Sequence, residues 1–97
     1  MSSLRPQQAQ TASDKREKEP IRVLIAEDTS LVRYGLCKSL QSLCGFDVVG
    51  EAVNGKNAVD LALELDPDVI LMDFNMPIMD GLEATIEIKK HRPDCKV

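Results

Sequence analysis

Residues 21–28, IRVLIAED, and residues 68–73, DVILMD, decide how this chain reads. Each carries a run of large apolar side chains that ends in carboxylates, at Glu27 and Asp28 in the first and at Asp73 in the second. A strand that is apolar at successive rather than alternate positions has to be covered on both faces. That is the habit of a parallel sheet flanked by helices, with DVILMD expected as a central strand.

Outward from these two runs, the remaining segments fall into the same scheme. Asp28, Thr29 and Ser30 are all competent N-caps, and Val32, Leu36, Leu40 and Leu43 then recur on one helical face, with Gly45 as the stop. FDVVGEA, residues 46–52, reads as a second strand. Asn54-Gly55 is a turn that opens a helix with Ala58, Leu61, Ala62 and Leu65 on one side, ended by Pro67. After DVILMD comes the loop FNMPIMDG, residues 74–81, with turn chemistry at Pro77 and at Asp80-Gly81. Leu82, Thr85 and Ile86 then predict one side of a third helix that runs to about Lys90. Pro93-Asp94 marks a turn, and a fourth strand should begin where the sequence ends. Strand and helix alternate three times, so the economical fold is a right-handed parallel α/β sheet whose ligand crevice lies at the carboxyl ends of its strands.

Composition narrows the function. The 97 residues, 43% hydrophobic and 29% charged, suit one small domain and leave no room for a separate effector domain. Residues 1–20, MSSLRPQQAQTASDKREKEP, lack apolar periodicity and read as a disordered leader, so the domain spans residues 21–97. With 3% aromatic residues, no Trp and a net charge of −4, nucleic acid is a poor candidate ligand. No apolar run approaches the roughly 20 residues of a membrane span, and no secretory core is present at the N-terminus. Three cysteines, Cys37, Cys44 and Cys95, form no even disulfide framework and suit a reducing cytoplasm as small apolar residues.

The chemistry gathers at Glu27, Asp28 and Asp73. Individually, Asp28 could be an N-cap, Glu27 a solvated acid and Asp73 the start of a loop. Placed together at strand ends, they would repel one another unless a hard cation joined them, and oxygen ligands without His or Cys suit Mg²⁺. An aspartate beside such an ion can itself accept a phosphoryl group, and Asp73, at the end of the longest apolar strand, is best placed to do so. His91, the only histidine, follows Lys89 and Lys90 at a helix end and reads as solvated. Gly50 and Gly55 do not fit the G-x-G-x-x-G spacing of a dinucleotide site.

IRVLIAED, VVGEAVNGKNAVDLALELDPD and DVILMDFNMPIMDG, in this order, closely resemble the receiver domain of two-component response regulators, with a flavodoxin-like fold. The resemblance spans Ile21 to Val97, and VVGEAVNG is most similar to receivers that precede helix-turn-helix DNA-binding domains. It implies that Asp73 is the phosphoacceptor, that Glu27 and Asp28 are the acidic pair for Mg²⁺, and that Asn75 adds a backbone carbonyl to the ion. It also implies a sensor histidine kinase or a phosphotransfer protein as phosphodonor. Met76, Pro77, Asp80 and Gly81 match the loop after the phosphoacceptor, where their expected role is structural.

Receivers have five strand-helix units, and this chain holds about three. The family's switch Ser or Thr and its Lys, at the ends of the fourth and fifth strands, have no counterpart; neither Thr85, on a helix, nor Lys96, at a strand start, can replace them. The expectation is a partial receiver from a longer protein. Its function is that of a phosphoacceptor signalling module, with a noncatalytic protein-interaction module as the alternative. A metal-dependent phosphohydrolase ranks below both, because no general base can be identified.

Overall fold

The computed structural model describes residues 19–97, so the expected leader lies outside the described residues except for Glu19 and Pro20. Six elements alternate along the chain: β1 (Ile21–Ala26), α1 (Ser30–Gln41), β2 (Phe46–Ala52), α2 (Gly55–Leu65), β3 (Val69–Met72) and α3 (Gly81–His91). The three strands form one sheet in the order β2-β1-β3, and both pairings are parallel.

The chain moves from β1 outward to β2 and then back across β1 to β3. Two crossovers of the same hand but opposite direction put their helices on opposite faces. Accordingly α1 covers Val23 and Ile25 through Cys37, with Leu36, Leu40 and Val48 packed around them. On the other face, Leu24 and Ile70 pack with Val59, Ala62, Ala84 and Ile88 of α2 and α3. Val23 to Ala26 are each at most 1% exposed, which is why the run IRVLIA has no polar alternation.

One irregularity decides which way β2 points. Val23 pairs with Val48, but Leu24 pairs with Gly50, so Val49 is an extra, bulged residue. Val48 and Ala52 are four apart and would share a face in a regular strand. Because of the bulge, Val48 packs on the α1 side while Ala52 packs with Ala26, Ala58 and Met76 on the other.

The expected strands are all present, and β3, which has the apolar pattern of a central strand, presents an open edge in this chain of three strand-helix units. DVILMD lies at an edge of the three-stranded sheet, beside β1, and its outer side carries only an isolated parallel bridge from Val69 to Lys96. That bridge falls where a fourth strand was expected to begin. β1 is the strand flanked on both sides.

The helix boundaries follow local chemistry. Asn54 caps α2, its side chain accepting from Asn57 N at 2.7 Å, and Asp66 ends the helix in the left-handed region at φ 50°. Asp80 and Glu83 form a reciprocal capping box on α3. Helix α1 stops at Gln41, so Leu43 lies beyond it and is exposed, as is Val32; the buried member of α1 is Cys37. On α3 the buried residues are Gly81, Ala84 and Ile88, whereas Leu82 and Ile86 face outward at 58% and 53% exposure. The reason is steric: α3 lies against α2, and small side chains permit that approach.

Candidate metal and phosphoryl-acceptor site

The sheet reverses its winding at β1, so the loops after β1 and β3 diverge and leave a crevice between their carboxyl ends. Glu27 and Asp28 follow β1 and Asp73 follows β3, on the two sides of that switch point. Ladder hydrogen bonds continue one step past the strands: Glu27 N donates to Ala52 O and Asp73 N to Ala26 O, both at 3.0 Å. The backbones of two of the three acids are thereby fixed by the sheet itself.

One carboxylate oxygen from each of Glu27, Asp28 and Asp73 lies within 4.8 Å of the others. Glu27 and Asp73 are half-buried and Asp28 is exposed. The N-cap of α1 is Thr29, which makes no side-chain cap bond, so Asp28 is not occupied as a cap. Thr29 N instead donates to Glu27 Oε2 at 3.0 Å. Asn75, in the loop, donates its amide to Asp73 Oδ1 at 3.3 Å, closing a turn around the aspartate.

Among the described residues, the ion pairs leave out all three acids. Two such charges about 5 Å apart repel by about 3 kcal/mol at an effective dielectric near 20 and by about 0.8 kcal/mol in bulk water. With Asp28 in solvent, the cost lies toward the lower figure. An all-oxygen donor set without His or Cys, open on one side to water, fits Mg²⁺, which keeps several waters and takes one or two carboxylates.

The loop from Asp73 to Gly81 is shaped by two close approaches. A Cβ on Gly81 would overlap the Asp73 carbonyl and lie 2.7 Å from Phe74 Cα. A Cβ on Gly55 would overlap the backbone of Met79. Between them, Met79 N donates to Pro77 O at 2.8 Å around Ile78, a β-branched residue held at φ 74°. That is a strained γ-turn. Met76, expected as a structural residue, is 7% exposed and packs in the core below.

A cavity of about 580 Å³ lies at the opposite end of the strands, against Asp66, Asp68, Arg92 and Cys95. Acids and bases are mixed around it: Arg92 pairs with Asp66 at 3.2 Å and donates to Leu63 O at 3.0 Å, Asp68 Oδ2 accepts Arg22 N at 3.0 Å, and Lys96 lines the same space as Asp94. Enclosed volume alone therefore does not mark the site here. Convergence of like charges does.

His91 sits 3.4 Å from Glu87, half exposed on the last turn of α3, as a helix-end histidine should. Thr85 Oγ1 donates to Gly81 O at 2.7 Å, which keeps it in the helix and away from the acids. Sequence reasoning did not single out Arg33, whose Nη1 donates to Glu27 O at 2.7 Å. The available signal was a cation in the first turn of a helix, where the dipole disfavours it.

Comparison with known proteins places these features. The model of the response regulator receiver domain matches residues 23–97. Response regulator protein VraR of Staphylococcus saprophyticus is 49% identical over 78 residues, covering 80% of this chain and 37% of the relative. A protein-glutamate methylesterase/protein-glutamine glutaminase of Hahella chejuensis is 47% identical over 73 residues, covering 75% of this chain and 19% of that protein. The crystal structure of the response regulator domain of Thermotoga maritima CheB superposes with a TM-score of 0.76 at 43% identity, covering 77% of this chain and 56% of that one. The chain thus spans about a third or less of these curated relatives and just over half of the solved receiver domain.

Proposed function

This chain belongs to the response regulator receiver domain family, and from that premise we propose that it is a regulatory phosphoacceptor working in the cytoplasm. It receives a phosphoryl group on Asp73 from a phosphohistidine of a sensor kinase or phosphotransfer protein. Glu27, Asp28 and Asp73 would hold Mg²⁺ through carboxylate oxygens, with Asn75 adding its backbone carbonyl. The ion would supply charge neutralisation for the transferred oxygens. The observation that carries this reading is the set of three carboxylate oxygens within 4.8 Å at the sheet's switch point.

In the transfer, an Asp73 carboxylate oxygen attacks phosphorus in line, the phosphorus–nitrogen bond breaks, and the donor imidazole leaves. The sheet hydrogen bond from Asp73 N to Ala26 O holds the nucleophile's backbone. The Asn75 amide orients its carboxylate. No proton has to be removed from an ionised carboxylate, so the lack of a general base does not weigh against this step. The relatives carry different names, one a response regulator and another a methylesterase, so the likeness by itself does not select an output.

The test is to mix the chain with Mg²⁺ and acetyl phosphate, or with a phosphorylated kinase, and to follow an acyl-phosphate adduct by intact mass. The adduct should appear on the native chain, vanish with chelator and be absent from Asp73→Asn. Equal labelling of both proteins would overturn the assignment.

A further inference from the structure

Arg33 lies in the first turn of α1 and is only 17% exposed, although nothing in the proposed transfer uses it. Its guanidinium reaches in two directions. Nη1 donates to the main-chain carbonyl of Glu27 at 2.7 Å, and Nε donates to Glu51 Oε1 on β2 at 3.2 Å. Three segments, namely α1, the end of β2 and the β1–α1 loop, meet at one planar group.

The bulge at Val49 makes this possible. Glu51 pairs with Ile25, a residue of the α1 face, and Val48 packs on that same face three positions earlier. In a regular strand residues three apart face opposite ways, so without the extra residue Glu51 would point toward α2 and Arg33 would lose its carboxylate.

We infer that Arg33, seated on Glu51, is a positioning residue for the cation site: where the sheet holds Glu27 only through its amide, Arg33 holds the Glu27 carbonyl, and so orients the Glu27–Asp28 peptide and the direction in which the acidic pair points. The inference rests on the reading of these acids as a Mg²⁺ site. Geometry and charge act with opposite signs here, which makes the role separable. A nearby cation by itself repels Mg²⁺, but Glu51 neutralises most of that charge, so the directional hydrogen bond dominates. Lysine keeps the charge but is a point donor on a flexible stem, and it cannot reproduce the fixed fork that serves carbonyl and carboxylate together. Groups that orient a metal's ligands typically change affinity by about 10-fold or more when removed.

The experiment is a Mg²⁺ titration of the 97-residue chain followed through the amide shifts of Glu27, Asp28 and Asp73 in the folded species. Arg33→Lys and Arg33→Gln should each weaken binding, by about 10-fold. Glu51→Leu should weaken it as well, and Glu51→Gln, which retains an acceptor oxygen, should restore most of the affinity. A role through charge alone predicts no change for Arg33→Lys and tighter binding for Arg33→Gln. A role in stability alone predicts a lower unfolding midpoint with the folded-state Kd unchanged. Either result overturns the inference, and if the Arg33 variants do not fold, an unchanged Kd in Glu51→Leu does so. A native chain whose shifts never respond to Mg²⁺ would instead remove the metal-site reading, and this inference with it.

Discussion

The two ends of the same three strands are built on opposite principles. At the amino end, a cavity of about 580 Å³ is bordered by charges of both signs, some of them held in place: Arg92 by Asp66 and Leu63 O, Asp68 by the Arg22 amide. At the carboxyl end, three carboxylates, two half-buried and one exposed, converge without an ion pair among the described residues. One end closes the fold, while the other keeps a repulsion in it that a cation would remove. A stability argument therefore needs to say which end it concerns and what the buffer contains.

The largest effect should come from the carboxyl end. Mg²⁺ at about 100 times its Kd is expected to stabilise the native chain by about 2.7 kcal/mol through mass action. Asp28→Asn should lose most of that gain, and urea unfolding with and without Mg²⁺ measures both. At the amino end, Arg92→Ala removes a partly exposed pair and a hydrogen bond to Leu63 O, for a loss of about 1 kcal/mol. That loss should be the same in Mg²⁺ and in chelator. If it depends on the ion, the two ends are coupled and the contrast fails.

The smallest effect is in alkali, again at the amino end. Burial pushes the Cys95 thiol above its ordinary value, with Lys89 pulling it back and Asp66 and Asp68 adding to the rise. A thiol raised in the folded state keeps its proton where the unfolded chain has lost it. Its contribution is therefore fully present below the unfolded value, near pH 8.5, and is lost as pH rises through the folded one. Cys37 on the α1 face behaves alike, through burial and then Glu51. The unfolding midpoint should fall above about pH 8.5, and the fall should be shallower in Cys95→Ala.

Much of this was legible in the sequence because strand ends are marked by chemistry. VLIA, residues 23–26, and VILM, residues 69–72, are uninterrupted apolar runs, so the carboxylates that follow them had to sit at one edge of a parallel sheet. Asn54 and Asp80 were legible for the same reason, since turn and cap residues act on their own neighbours. Faces were harder. Leu82 and Ile86 are larger than Ala84 and make the more conspicuous stripe, but the close approach of α3 to α2 selects the small residues, and periodicity does not report what a helix will lie against. The bulge at Val49 left no signal, because FDVVGEA is compatible with either register. Arg33 was hidden by the same gap, since its partner Glu51 faces it only once that register is known.

The loop from Asp73 to Gly81 carries a consequence for how this sequence can drift. Surface loops ordinarily absorb insertions and deletions. This one is clasped at two points, Gly81 on the Asp73 carbonyl and Gly55 on Met79, with the tight turn at Ile78 taking up the slack between them. One added residue would have to be expelled at a clasp, sliding Gly81 off Asp73 or Met79 off the start of α2. Its length is therefore as constrained as that of a strand, and variation should enter through outward side chains such as Phe74 and Ile78, at 66% and 78% exposure, rather than through indels.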